Sequence, residues 1–193
     1  MNFVLYNTLE GEYSSIPLTK KWNLYYYDNI DSERLIKLYD FNDSISNKQF
    51  INAANFYNQY SKKLNDKFPD VNLYLYYIPS VWKSSKENDN SLYPYNEYNY
   101  IKNFTSTLDE EISMSYFNIE NFNSYEKHFY KTDHHLNIFG GYESYKDIIE
   151  LINTKIDIGR PKDVKKTFKI EGLEFRGSMA RVTMLDEYYD ELW

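Results

Sequence analysis

The sequence predicts an α/β fold built on a parallel sheet. Two observations carry this: an amphipathic helical pattern runs directly into a proline-bounded apolar strand, and the pattern then repeats in the order helix, strand, loop, helix. Parallel strands joined in this way require right-handed crossovers. In such open sheets the working groups gather beyond the carboxyl ends of the strands.

The first 45 residues alternate aromatic and polar positions around WNLYYYD without a clear period. They are expected to be a strand or extended segment followed by a loop or short helix. From Ser46 the pattern sharpens. Ser46 and Gln49 have capping-box spacing, in which each side chain can satisfy a free backbone N–H at a helix start. Phe50, Ala53, Ala54, Tyr57, Tyr60 and Leu64 then recur at three-to-four spacing, which predicts a helix over Ser46–Lys67 stopped by Pro69. Val71–Pro79, VNLYLYYIP, is the proline-bounded run and reads as a parallel strand covered on both faces. Ser80–Tyr95 is the loop at its carboxyl end. A second helix is expected over Glu97–Ile112, facing inward through Tyr98, Ile101, Thr105, Leu108 and Ile112, and a short strand over Tyr116–Ile119. Asn137 can cap a third helix with Phe139, Tyr142, Tyr145, Ile148, Ile149 and Ile152 inward. From Thr167, KTFKIEGLEF alternates around Glu-Gly and predicts a β-hairpin, followed by GSMAR and an acidic tail. The expected division is 1–45, a core over 46–155, and 156–193.

Composition narrows function. The 193 residues suit one ordinary domain with a real core. With no cysteine there is no disulfide framework, thiolate metal site or Cys nucleophile. A net charge of −7 argues against nucleic acid as a partner, because counterion release needs a basic surface. No run reaches the roughly 18–20 apolar residues of a membrane span, and Met1–Leu18 lacks a basic-then-apolar signal pattern. The 22 tyrosines accompany abundant Asn, Lys, Ile and Phe, a genomic bias rather than a function.

All three histidines fall in YEKHFYKTDHHLNIFGGYESY, Tyr125–Tyr145. Asp133 and His135 flank one residue. In an extended loop that spacing puts both side chains on one side of the backbone, where the carboxylate can hold one imidazole nitrogen and leave the other to take a proton. This is the base-and-orienter half of an acyl-transfer triad.

YKTDHHLNIFGGYESYKDII resembles the signature of the DHHW family, itself similar to SGNH-type hydrolases and to the periplasmic proteins that O-acetylate alginate. The likeness covers roughly residues 45–155. It implies a three-layer, flavodoxin-like SGNH-type sheet, here lacking its later strands. The activity it implies is that of a serine-dependent esterase or O-acetyltransferase acting on an acylated cell-envelope polysaccharide or acyl donor, without a cofactor, in an extracytoplasmic setting. Asp133 and His135 match the family's catalytic Asp and His, and His134 its middle His. Leu136 stands where the family has Trp. GSMAR resembles the family's Gly-Ser segment. The family's nucleophile lies well downstream of the Asp-His loop, so 1–193 is expected to be a partial catalytic domain. Ser178 is the candidate within this chain. A hairpin followed by Gly-Ser is not a strand-turn-helix elbow, which favours a structural turn for Ser178.

Two rivals come from other classes. Trp82, Tyr93 and Tyr95 in the strand-end loop could form a stacking platform in a glycan-binding module without turnover. Alternatively, Asp133, His134 and His135 with His128 could ligate a transition metal, as in DHH phosphoesterases. Such two-metal sites need upstream carboxylates, and after Val71–Pro79 none occurs before Glu87. The sequence therefore predicts no metal site.

Overall fold

The computed structural model describes residues 13–19, 24–29, 32–37, 43–82, 97–183 and 189–193. In chain order the elements are strands β1 (Tyr13–Thr19), β2 (Leu24–Asn29) and β3 (Ser32–Lys37), then helix α1 (Asp43–Lys67) and strand β4 (Tyr74–Tyr77). Helix α2 (Glu97–Thr107), strand β5 (Ser113–Tyr116) and helices α3 (Phe122–His128) and α4 (Ile138–Asn153) follow. The chain continues through β6 (Glu174–Phe175), α5 (Ser178–Thr183) and β7 (Asp190–Glu191). The class is mixed α/β, as expected, with small sheets: a parallel pair β4–β5 and antiparallel groups β1–β2–β3 and β6–β7. Among the described residues no helix is long and apolar enough to cross a membrane.

The chain forms two compact units. The unit comprising 41–121 and 143–162 holds the helix–strand pattern. Tyr74 to Tyr77 pair in register with Ser113 to Tyr116. This strand lies three residues before the expected Tyr116–Ile119. The four small and mixed residues SMSY run along the ladder, while the more apolar segment leaves the sheet to be pinned by Tyr98, whose hydroxyl accepts the Ile119 N–H at 3.1 Å. Helix α1 begins at Asp43, so Ser46 lies inside it, buried, and is not its cap. The buried stripe of α1 includes Ser46, Ala54 and Ser61, and Tyr60 points outward. Small residues there admit α2, tied by the Asn58 Nδ2–Thr107 carbonyl bond of 2.9 Å and by Phe104 against Phe50 and Tyr57. The buried side of α2 is Glu97, Tyr100, Ile101 and Phe104, rotated from the expected face. Glu97 draws it there: its carboxylate accepts the Tyr77 hydroxyl at 2.6 Å and the Ser80 N–H and hydroxyl at 2.9 and 2.7 Å. Helix α2 is thereby locked to the end of β4. In the part of α4 that belongs to this unit, Ser144 and Leu151 are buried, with Tyr145 and Ile148 exposed.

The other unit comprises 1–40, 122–142 and 163–193. The region expected to lack a period contains a three-stranded antiparallel meander, in which Tyr13 pairs with Asn29 and Leu24 with Lys37. Aromatic residues at successive positions of β2 mask the alternation by which a half-buried strand is read. Arg34, Leu35 and Ile36 are all buried. The Arg34 guanidinium lies 5.0 Å from the Tyr125 ring centroid and 5.8 Å from that of Phe122, fastening β3 to α3. The hairpin expected from Thr167, in KTFKIEGLEF, keeps its turn, with Gly172 at φ 74°, but changes partner. Glu174–Phe175 pairs with Asp190–Glu191, and Ile170 N–H donates to the Leu192 carbonyl at 2.8 Å.

Candidate active site

The histidine segment is a helix, a pinched loop and a second helix. Phe129 and Leu136 form an isolated antiparallel bridge, and the Tyr130 N–H donates to the His135 carbonyl at 3.1 Å. These contacts close residues 130–135 into a loop. Asn137 caps α4 as the sequence predicts, its Oδ1 accepting the N–H groups of Phe139 and Gly140, each at 3.0 Å. Its amide also donates to the Lys127 carbonyl at 2.9 Å, joining the end of α3 to the start of α4.

Close approach at that junction depends on Gly140. A Cβ there would meet the His128 carbonyl oxygen at 2.2 Å, whereas one at Gly141 meets nothing within 4 Å. Of the two successive glycines only Gly140 serves this approach, because a Cβ at Gly141 would point into open space. Leu136 supplies the side chain nearest a Cβ at Gly140, its Cδ2 at 2.8 Å.

Within the loop, Asp133 Oδ1 lies 2.6 Å from His135 Nδ1 and 3.3 Å from the His135 N–H, so the carboxylate holds the residue by ring and main chain together. Asp133 Oδ2 accepts the Ser178 N–H at 2.6 Å. The carboxylate is 5% exposed and the His135 side chain 70% exposed: the carboxylate is buried and the imidazole is presented. Burial would push the Asp133 carboxyl up, but the Ser178 N–H and the two imidazoles outweigh it and hold the carboxyl below its ordinary range. With Nδ1–H donated to Asp133, the ring carries its lone pair on Nε2.

His134 stands beside this pair, its ring centroid 4.1 Å from that of His135 and its Nδ1 3.2 Å from Asp133 Oδ1. Ser178 Oγ lies 3.4 Å from His134 Nδ1. The structure thus brings Asp133, His134, His135 and Ser178 together, with the Ser178 hydroxyl turned to His134 and its N–H to Asp133. Strand β6, two residues and helix α5 do place Ser178 at a strand-to-helix turn, which the hairpin expectation had denied. Trp82 is half-buried in the other unit, and Tyr93 and Tyr95 lie outside the described residues.

The donor atoms of Asp133, His134 and His135 lie within 4.8 Å of one another, a spacing compatible with three metal ligands. His135 Nδ1, however, is already hydrogen-bonded to Asp133 Oδ1, so an ion between them would displace that bond.

Sequence reasoning missed Thr132, Gly177 and Asp190. Thr132 is fully buried, and its carbonyl accepts the Met179 N–H at 3.2 Å. A Cβ at Gly177 would lie 2.4 Å from the Thr132 carbonyl oxygen and 2.5 Å from Asp133 Cβ, so only glycine lets α5 approach the loop this closely. The Gly-Ser pair was visible in the sequence. Asp190 was one carboxylate among many in an acidic tail, and nothing singled it out.

The fold and site define a mixed α/β protein presenting an imidazole on a buried carboxylate. A DHHW family protein from Eubacterium siraeum has a similar structure, with a TM-score of 0.63 and 19% identity, covering 98% of this chain and 56% of that one. PatB1 of Bacillus cereus is also similar, with a TM-score of 0.52 and 16% identity, covering 100% of this chain and 55% of that one. At these identities the likeness is one of fold, and the chain spans about half the length of either structure. No protein-family model and no curated protein sequence matches.

Proposed function

We propose that the chain carries the base and orienter of an SGNH-type esterase or O-acetyltransferase, acting extracytoplasmically on acyl groups of a cell-envelope polysaccharide. The finer fold in this reading is the three-layer flavodoxin-like sheet of that class. The observation that carries it is the 2.6 Å contact between a buried, Ser178-anchored Asp133 and an exposed His135. His135 Nε2 takes the proton of a serine hydroxyl as that oxygen attacks the acyl carbonyl, then returns it to the departing sugar alkoxide. Asp133 fixes the tautomer and stabilises the imidazolium. The nucleophile is a serine other than Ser178, whose hydroxyl faces His134 and whose N–H holds Asp133.

Aryl-acetate hydrolysis by the 193-residue chain, and by any longer polypeptide containing it, tests this. Turnover is expected in the longer polypeptide and not in the 193-residue chain, surviving a chelator and dropping by orders of magnitude in both Asp133→Asn and His135→Ala. Turnover indifferent to His135→Ala would sink the reading. Bound transition metal in the purified protein, with turnover of an aryl phosphate ester that is lost on chelation, would favour the metal-dependent phosphoesterase class. Turnover by the 193-residue chain abolished in Ser178→Ala would make Ser178 the nucleophile.

A further inference from the structure

Asp190 is 8% exposed, and both of its carboxylate oxygens are committed to the segment just before the Asp-His pair. Oδ1 accepts the Lys131 N–H at 2.7 Å; Oδ2 accepts the Thr132 N–H at 3.0 Å and also the Thr132 hydroxyl in a short bond. Because that hydroxyl proton is spent on Asp190, a Thr132 Oγ1 lone pair faces the Gly177 N–H, which donates to it at 3.0 Å. The next residue is Ser178, whose N–H holds Asp133 Oδ2. Hydrogen bonds therefore run without a gap from Asp190 through Thr132 and Gly177–Ser178 to Asp133 and His135. All of these residues belong to one compact unit.

We propose that Asp190 is a positioning residue for the Asp133–His135 pair, acting through the Thr132 hydroxyl. This rests on the reading of that pair as base and orienter. Asp190 fixes two successive main-chain N–H groups of the loop and the rotor of one hydroxyl. The hydroxyl then sets the Gly-Ser turn at the height where its second N–H meets Asp133. A second anchor on the same loop comes from β3, whose Leu35 N–H donates to the Lys131 carbonyl at 2.9 Å. With Lys131 held on one side by β3 and on the other by Asp190, the carboxylate of Asp133 has one place to be.

The test is the tautomer of His135, read from ring 15N chemical shifts in mildly alkaline buffer on 15N-histidine-labelled protein, with His135→Ala giving the assignment. Wild type is expected to hold the single Nδ1–H form. Asp190→Ala and Thr132→Val should shift the ring to a mixture with the Nε2–H form, while Thr132→Ser, which keeps the hydroxyl, should restore the wild-type shifts. A role confined to fastening β7 would lower the melting temperature of Asp190→Ala and leave the tautomer unchanged. That outcome in folded protein overturns the proposal. Should Asp190→Ala not fold, the Thr132→Val and Thr132→Ser pair decides: identical shifts in the two refute it. The functional reading fails separately, through ester turnover that ignores His135→Ala, and that failure leaves the tautomer measurement intact.

Discussion

Replacing Gly140 with alanine separates close approach from helix propensity, because Gly141 is an internal control one residue away. A Cβ at Gly140 would lie 2.2 Å from the His128 carbonyl oxygen and 2.8 Å from Leu136 Cδ2. Restoring an ordinary contact requires the first turn of α4 to retreat by roughly 1 Å. The obstacle is backbone and is already engaged, since the His128 carbonyl accepts the Asn137 N–H at 2.9 Å. The Asn137 side chain reaches back to Lys127 at the same distance. Overpacking of this kind costs about 1–3 kcal/mol, and weakening those two bonds adds about 0.5–1.5 kcal/mol apiece. Alanine's helix propensity offsets about 1 kcal/mol. Gly140→Ala should therefore destabilise by roughly 3 kcal/mol, while Gly141→Ala, which meets nothing, should stabilise by about 0.5–1 kcal/mol. Urea unfolding reads the difference: with a slope of ~1–3 kcal/mol/M, the two midpoints should separate by more than about 1 M. Coincident midpoints, or a stabilised Gly140→Ala, would show that α3 and α4 do not meet as described.

Two further outcomes are expected. Glu97→Ala strands three donors at the end of β4 and should cost roughly 3 kcal/mol in denaturant unfolding, with a loss below 1 kcal/mol contradicting the lock between β4 and α2. Asp133 has a depressed folded pKa, so the stability it contributes is fully present above its unfolded value of about 3.9 and is lost as pH falls through the lower folded value. The stability gap between wild type and Asp133→Asn should accordingly close as acid takes the pH below about 4; a gap unchanged in acid would mean the anchoring bonds do not form.

What the sequence made legible followed from local physics. The helix ending before Pro69, the cap at Asn137 and the Asp-x-His contact each depend on residues a few positions apart. Their outcomes, α1 ending at Lys67, the Asn137 Oδ1 bonds and the 2.6 Å pair, are local too. Helix faces were misjudged where a polar residue won the inward position. Glu97 displaced the expected stripe of α2 because three donors awaited it, and Ser144 and Gly140 took the buried side of α4 from larger apolar neighbours. Periodicity weighs apolar residues alone and cannot register a buried carboxylate whose partners lie on another element. The hairpin failed for a related reason. Alternation identified the strand and turn correctly, but the partner that pairs with Glu174–Phe175 comes from Asp190–Glu191, beyond a helix.

The motif likewise displays the polar side chains of the site but not the groups that support them. Asp133 and His135 are recognisable side chains, yet the groups that aim them are largely main-chain donors and acceptors: Ser178 N–H, Gly177 N–H, the Thr132 carbonyl and the Lys131 and Thr132 N–H groups. Backbone groups have no letter in the sequence. They leave a trace only where a side chain must be absent, as at Gly177, or where a carboxylate must arrive from afar, as at Asp190. Alanine substitution along the loop preserves most of these donors, so Ser178→Ala leaves the bond to Asp133 in place while removing a hydroxyl that faces His134. A main-chain N–H can thus hold a buried carboxylate in place and leave no trace in an alanine scan. For this site, the residues that hold His135 are found by following hydrogen bonds outward from Asp133 rather than by reading outward from the histidines.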